Sequence, residues 1–243
     1  MLQIDRYYPE LVSGFFLSMG LYIFALFFGL GLGLVLAIAR HYGGPIVSRL
    51  STGFIEAFRS TPLLAQVMAI TVVPYALNIW LEAQGMAPID FSFRIIIPDF
   101  WGISRVVLDV RIVLCALALG LNSAAYQAEF FRGALSSLSA GQTLAAQSIG
   151  MTKRQEIRYI ALPQSLRRAI PAWSNEAVYL PVYTSIAYMV GVPELLSAAT
   201  LIVARTYLAL QVYVMVALIF LVLVSFISFL LNYIYQRVKI PGV

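Results

Sequence analysis

The stretch Leu11–Ala39, LVSGFFLSMGLYIFALFFGLGLGLVLAIA, is 29 consecutive residues without one charged side chain. A helix rises about 1.5 Å per residue, so roughly 20 apolar residues cross the ~30 Å hydrocarbon core of a bilayer. This run is more than long enough for one transmembrane helix. Two more uncharged runs follow, Ser60–Leu81 and Thr206–Ile234. Two less clean spans complete the set. One covers about Asp109–Glu129, with Ile112–Ala128 uncharged, and the other covers Ala169–Pro193, interrupted by Glu176. The pattern predicts an all-α membrane protein of five transmembrane helices, a single transmembrane domain over residues 1–243, with its termini on opposite sides.

Composition agrees. Of 243 residues, 61% are hydrophobic and 11% charged, with a mean hydropathy of +0.87. Soluble domains run near half apolar and a quarter charged, which excludes an ordinary globular enzyme and a disordered chain alike. The 16 Lys and Arg exceed the 11 Asp and Glu by only five, and they are dispersed between apolar runs, which excludes a nucleic-acid surface. His41 and Cys115 are the only residues of their kinds, so the sequence offers no metal cluster, no disulfide framework and no Cys/His pair.

Short loops richer in Lys and Arg stay on the cytoplasmic side. Arg40, Arg49 and Arg59 follow span one, and Arg132, Lys153, Arg154, Arg158, Arg167 and Arg168 follow span three, with Arg237 and Lys239 in the tail. Together they place 11 of the 16 basic residues on one side. The other side holds Arg6, Arg94, Arg105, Arg111 and Arg205 among most of the acids. The N-terminus is therefore expected outside and the C-terminus inside. MLQIDRYYPE has no basic leader region, so span one reads as a retained helix rather than a cleaved signal.

The inner segment 132–168 is too structured for a bare connection. Ser139 can cap a helix through Gln142–Ile149 that Gly150 ends in the left-handed conformation. Thr152 and Gln155 form a capping box for a second helix that Pro163 is expected to stop. Two readings stand on these residues alone. One is an interfacial helix on lipid headgroups, suited by Lys153, Arg154 and Arg158. The other is a rigid knob gripped by a cytoplasmic partner.

The run Gln142-Thr-Leu-Ala145-Ala146-Gln-Ser-Ile-Gly150, followed by Ile160-Ala-Leu162-Pro163, resembles the EAA loop of ABC importer permeases, whose pattern is E-A-A, three residues, G, nine residues, I-x-L-P. Phe58-Arg59-Ser-Thr61-Pro62-Leu63-Leu64, Leu121-Asn122-Ser-Ala-Ala125-Tyr126-Gln-Ala-Glu129, Arg132-Gly133, Asn175-Glu176, Thr184-Ser185 and Glu194-Leu195 agree in order. The set is similar to the polar amino acid permeases of the histidine/glutamine importer type, over nearly the whole chain. Two positions depart from the pattern. Leu144 stands where the family has its leading Glu, and Val182-Tyr183 stand where it has Lys-Asp.

The resemblance implies a type I importer fold without catalytic residues, in a prokaryotic plasma (inner) membrane. It implies two permease subunits, the second a copy or a paralogue, and two cytoplasmic ATPases that carry the ATP and Mg. It also implies an external binding protein that delivers an amino acid. Gln142, Ala145, Ala146, Gly150, Ile160, Leu162 and Pro163 would then form the element that couples to the ATPase. A stiff helix transmits a rigid-body ATPase motion where a slack loop would not.

Span four carries most of the intramembrane polarity. Pro171 and Pro181 are expected to break its ladder, and freed backbone groups need protein or a water-filled cavity beside them. Glu176, Tyr179 and Tyr183 lie at i, i+3 and i+7 and are expected on one face. With Asn122, Asn175 and Thr184 they are the candidate substrate path. A carboxylate and two rings would suit an ammonium group. The competing reading has Glu176 paired with an arginine across a dimer, or with backbone freed at a proline.

Smaller expectations concern packing. Gly29 and Gly33 form a small-xxx-small pair for helix contact. Arg105 and Asp109 are expected to pair, Cys115 to pack, and Trp80, Trp101 and Trp173 to anchor span ends. A self-sufficient secondary transporter or channel subunit is the alternative function, weakened by five spans, a lone buried acid and no visible repeat. An intramembrane enzyme lacks paired carboxylates or a nucleophile with its base.

Overall fold

The computed structural model describes residues 7–92, 94–97 and 106–239. Helices α1 (Tyr8–Tyr42), α3 (Leu63–Ala83), α4 (Val110–Ser136) and α9 (Ala209–Val238) are each long and apolar enough to cross a bilayer. A fifth candidate runs from Lys153 to Thr206 and bends by 54° at the break between Val190 and Leu195. Between these lie α2 (Pro45–Ser60), the pair β1 (Arg94–Ile97) and β2 (Val106–Asp109), and α5 (Ala140–Ser148). The fifth candidate comprises α6 (Lys153–Glu156), a π turn (Ile157–Ala161), α7 (Leu162–Tyr183), a 3-10 segment (Thr184–Val190) and α8 (Leu195–Thr206). Among the described residues the architecture is all-helical apart from two four-residue strands, which pair antiparallel with Arg94 opposite Asp109.

Several expectations are corrected here. The segment after span one forms α2, an amphipathic helix that hydropathy averaging over long apolar runs hides. Pro163 does not stop the second inner helix. The π turn Ile157–Ala161 lies immediately before it and widens the spiral, which makes room for a ring that would otherwise strike the carbonyl four residues back. Lys153–Tyr183 is consequently one continuous helical path, and the fourth span begins inside the predicted loop. Pro171 and Pro181 also sit within α7 without ending it. The α-helix gives way only at Thr184, where its hydroxyl donates to the Pro181 carbonyl at 2.7 Å and that of Ser185 to the Val182 carbonyl at 2.7 Å. These bonds occupy carbonyls near the proline and accompany the tighter 3-10 turn. Gly191, at φ +76°, closes the segment. Arg105 and Trp101 lie outside the described residues; Asp109 pairs with Arg111 at 2.7 Å and caps α4 through the N–H of Ile112 at 3.1 Å.

Contacts divide the chain into two compact units. The first comprises Met1–Phe27, Thr61–Leu121 and Leu180–Leu223. Its core joins Leu11 of α1 to Leu195, Ala199 and Ile202 of α8 and Val212 and Val216 of α9. Glu194, fully buried, caps α8: its carboxylate accepts from the N–H groups of Leu196 (2.9 Å) and Ser197 (2.8 Å) and from the Ser18 hydroxyl (3.3 Å). The same Ser18 oxygen accepts from the Leu195 N–H at 3.1 Å. A Cβ on Gly14 would lie 2.9 Å from the Glu194 carbonyl oxygen, so only glycine lets α1 come this close.

The second unit comprises Phe28–Ser60, Asn122–Tyr179 and Val224–Val243. Ala37 of α1 meets Phe131, Ala134 and Leu135 of α4 and Ala169 of α7. Gly29 and Gly33 face α4, as their spacing predicts. A Cβ at Gly33 would stand 2.8 Å from the Ala124 carbonyl oxygen and 3.0 Å from the Ala128 nitrogen. Lipid tails are as apolar as leucine, so close backbone approach rather than hydrophobic transfer holds such helices together.

Candidate functional site

Two constellations in the second unit carry the polar chemistry. The first is the corner between α5 and α6. Helix α5 ends in a paired turn: the Gly150 N–H donates to the Gln147 carbonyl (3.0 Å) and the Met151 N–H to the Ala146 carbonyl (3.0 Å), with Gly150 at φ +77°. This is the Schellman arrangement, and the left-handed residue it needs is cheap only for glycine. Two residues later Thr152 and Gln155 form the predicted capping box, the Thr152 N–H donating to Gln155 Oε1 at 2.8 Å. Ser139 starts α5 in extended conformation without a side-chain cap bond.

The corner is braced from within. Gln142 Nε2 donates to Gln164 Oε1 of α7 at 2.9 Å, and the Thr143 hydroxyl donates to the buried carboxylate of Glu156 at 3.0 Å. Ala146 packs inward, whereas Ala145, Gly150 and Pro163 are exposed, and Ile160 and Leu162 are half-buried. Beneath α5 a cleft of about 400 Å³ is lined by His41, Tyr42, Met151, Lys153 and Glu156 among others. The outer surface presents Leu144 and Ile149, 61% and 73% exposed. Of the predicted coupling residues, Gln142, Ala145, Ala146 and Gly150 lie on this corner, whereas Ile160 lies in the π turn and Leu162 and Pro163 open α7.

The second constellation is a buried polar chain between α4 and α7. The Trp173 indole N–H donates to Gln127 Oε1 at 2.7 Å, Gln127 Nε2 donates to the Ser123 hydroxyl at 3.0 Å, and that hydroxyl donates to Glu176 Oε1 at 2.7 Å. Asn122 Nδ2 donates to the Phe58 carbonyl at 3.1 Å and ties α2 to α4. Trp173 is therefore part of a helix contact. Glu176 is buried, whereas Asn175, Tyr179 and Tyr183 are exposed, so the expected single face divides in two. Spacings of three and seven allow up to about 60° of separation around a helix, enough to put a carboxylate against α4 and rings outside. Thr184 is fully buried and bonded to its own helix.

Sequence reasoning missed Ser123 and Gln127, and it missed a charge cluster at the ends of α1, α2 and α4. Arg40 contacts Glu129 and, at 3.6 Å, Glu56; Arg132 lies 2.9 Å and Arg59 3.9 Å from Glu129. The signal was present: Ser123 and Gln127 stand four apart in an apolar helix, where polar groups are expensive unless paired.

Residues 29–240 match the family described as binding-protein-dependent transport system inner membrane component. The chain belongs to that family. The permease is 30% identical over 236 residues to the glutamine transport system permease protein GlnP of Escherichia coli, covering 96% of this chain and 94% of that protein. It is 31% identical to the nopaline transport system permease protein NocM of Agrobacterium fabrum, over 93% of this chain and 84% of that one. It is 30% identical to the L-cystine transport system permease protein TcyL of Bacillus subtilis, over 98% and 91%. The crystal structure of an amino acid ABC transporter with histidines superposes with a TM-score of 0.75 at 27% identity, over 96% of each chain. The inward-facing MetNI methionine ABC transporter shares the fold, with a TM-score of 0.69 at 18% identity. The permease is accordingly a multi-pass inner-membrane subunit of an ABC importer.

Proposed function

We propose that the permease imports an amino acid, with its N-terminus outside and its C-terminus in the cytoplasm. It forms half of the translocation path beside a second copy or a paralogue and performs no chemistry itself. An external binding protein delivers the substrate, and separate ATPase subunits bind ATP and Mg and hydrolyse the nucleotide. The amino acid class is supported by the glutamine, nopaline and cystine permeases to which the chain is similar, and the orientation by the 11 basic residues on one side.

The observation that carries the coupling assignment is the α5–Gly150–α6 corner. It is closed by backbone bonds, braced onto α7 through Gln142, and exposed at its apolar tip. Gln142, Ala145, Ala146, Gly150, Ile160, Leu162 and Pro163 dock the ATPase and pass its motion into the continuous helix Lys153–Tyr183. Asn175 and Tyr179 face the substrate path, and Glu176 holds that part of α7 against α4 from behind.

Gly150→Leu tests the coupling role. A branched residue at φ +77° costs about 1–2 kcal/mol locally, so the corner distorts while the spans stay intact. Transport should fall at least about ten-fold with unchanged membrane insertion and permease pairing. Gly150→Asn, which tolerates the left-handed region, should retain it. Full transport by Gly150→Leu overturns the assignment.

A further inference from the structure

The cleft of about 400 Å³ beneath α5 has the size of a small-molecule site and holds charges that the protein leaves unmatched. Glu156 of α6 lines it with 5% of its surface exposed. Its carboxylate accepts the Thr143 hydroxyl at 3.0 Å, which fills one of roughly four acceptor positions. Lys153, one turn earlier on the same helix, lies over the Tyr42 ring, 5.4 Å from its centroid. Among the described residues neither Glu156 nor Lys153 forms an ion pair. Arg132, the base near this end of α4, is already held by Glu129 at 2.9 Å. A buried carboxylate with no counter-charge is costly, and a ligand that brings one is favoured here.

The walls decide what that ligand is. Tyr42 belongs to the last turn of α1, and Leu135 and Ser136 to the last turn of α4. Two helix C-termini, the negative ends of their dipoles, therefore border the cleft and reinforce Glu156 in favouring a cation. Among the described residues no three His, Cys, Asp or Glu side chains gather to hold a metal ion, so the fitting cation is an organic ammonium. Lys153 and Glu156 stand three apart in α6, which puts their Cβ atoms about 5–6 Å apart on one face. A zwitterion whose ammonium and anion are separated by a short carbon link spans that gap. Leu135, Leu138 and Met151 supply apolar surface for its carbon stem.

We propose that this cleft binds a ligand whose primary ammonium sits beside an anionic group, with Glu156 receiving the ammonium and Lys153 the anion. A free amino acid and the headgroup of an ethanolamine phospholipid share that chemistry. An ammonium without an anion leaves Lys153 unmatched, and an anion without an ammonium meets Glu156 and two helix C-termini, so neither half alone binds as well. The site needs only the cleft, Glu156 and Lys153, and holds whichever amino acid the permease carries.

Lysine acetylation reads the site directly, because Lys153 and Lys239 are the only lysines of the chain. The assembled transporter, permeases with their ATPases, is placed in phosphatidylglycerol nanodiscs, which leave both faces open. A water-soluble acetylating reagent is added with or without glutamine or phosphoethanolamine, and mass spectrometry gives the Lys153-to-Lys239 ratio. Lys239, which is exposed, corrects for reagent consumed by the probe's own amine. At saturating probe the ratio should fall at least about three-fold. Nanodiscs of phosphatidylethanolamine without added probe distinguish the sources. Protection there assigns the site to the lipid headgroup, and protection by the soluble probes alone assigns it to a free zwitterion. No protection by glutamine, phosphoethanolamine or the lipid overturns the proposal.

The same readout assigns the two ends. Glu156→Gln keeps an acceptor for Thr143 and should raise the probe concentration that protects Lys153 by about ten-fold or more, the worth of a hydrogen bond to a charged group. Parent-like protection in that variant overturns the proposal. If the variant assembles poorly, fragments of the probe decide on the parent protein. Ethanolamine, which lacks the anion, and inorganic phosphate, which lacks the ammonium, should each need about ten-fold more than phosphoethanolamine. Either fragment protecting as well as the whole zwitterion overturns the proposal.

Discussion

Replacing Gly33 with alanine should loosen the permease, whereas the same change at Gly31, two residues away, should not. Both lie in α1 and have the same helical preference, so the comparison isolates packing. A Cβ at Gly33 would lie 2.8 Å from the Ala124 carbonyl oxygen, 3.0 Å from the Ala128 nitrogen and 3.0 Å from the Gln127 Cβ, while a Cβ at Gly31 meets nothing within 4 Å. The first two neighbours are backbone of α4 and cannot rotate aside, so α1 must withdraw by a few tenths of an ångström. Overpacking of this kind costs about 1–3 kcal/mol. At Gly31 the methyl removes glycine's extra unfolded-state entropy and should be neutral or stabilising by roughly 0.5–1 kcal/mol. A thiol-reactive fluorogenic dye reads the melt through Cys115, the sole cysteine, which is fully buried until the helices separate. With about 2–4 °C per kcal/mol for a chain of this size, Gly33→Ala should melt roughly 2–12 °C lower and Gly31→Ala no lower than the parent. Equal shifts for the two variants would refute the claim that backbone contact at Gly33 seats α1 on α4.

Glu194→Ala strips the α8 cap of two backbone bonds and leaves the part-buried N–H groups of Leu196 and Ser197 without their partner, at about 1–3 kcal/mol. Ser18→Ala should cost less in that background than alone, a coupling the same dye melt can measure as a double-mutant cycle. Glu129→Gln removes the acid shared by Arg40, Arg59 and Arg132 and should destabilise far more than Glu56→Gln, whose single pair is half-exposed and worth under about 1 kcal/mol. Equal melts for the two would remove the cluster's significance. Burial pulls the Asp109 carboxyl upward, but hydrogen bonds from Arg111 and from the Ile112 N–H outweigh it and leave the group below its ordinary value. A folded pKa below the unfolded one contributes stability that is present above about pH 4 and lost as pH falls through the folded value. Asp109→Asn should therefore flatten the acid side of the stability profile, which melts between pH 3 and 6 would show.

What the sequence makes legible is whatever depends on length, spacing or a single residue's backbone preference. Uncharged runs announce the spans, Gly29 and Gly33 announce the α1–α4 contact, and Gly150 with Thr152 and Gln155 announces the corner between α5 and α6. What it hides depends on where a helix points once packed. Pro163 reads as a stop because the rule concerns an ideal α-helix, and the preceding π turn relaxes the clash that makes the rule hold. Helix α2 mixes charged and apolar positions, so an average over its length conceals it. Glu129 reads as a boundary residue because its three arginines come from three separate helices.

Glu176 and Tyr179 show the same limit where it bears on transport. Three residues apart, they were expected together on a substrate face, with the carboxylate as the recognising charge. In the folded chain the carboxylate is spent on Ser123, within a buried relay that continues through Gln127 to Trp173. The rings are left outside with Asn175. Glu176 in this place works as an acceptor that holds α7 against α4 while Asn175 and Tyr179 stay exposed. Glu176→Gln preserves an acceptor oxygen and should transport nearly as well as the parent, whereas Glu176→Ala takes away the acceptor of the Ser123 hydroxyl and lets α7 turn, lowering transport. A Gln variant as impaired as the Ala variant would restore the carboxylate's charge to a direct role, and with it the ammonium-binding path that the sequence suggests.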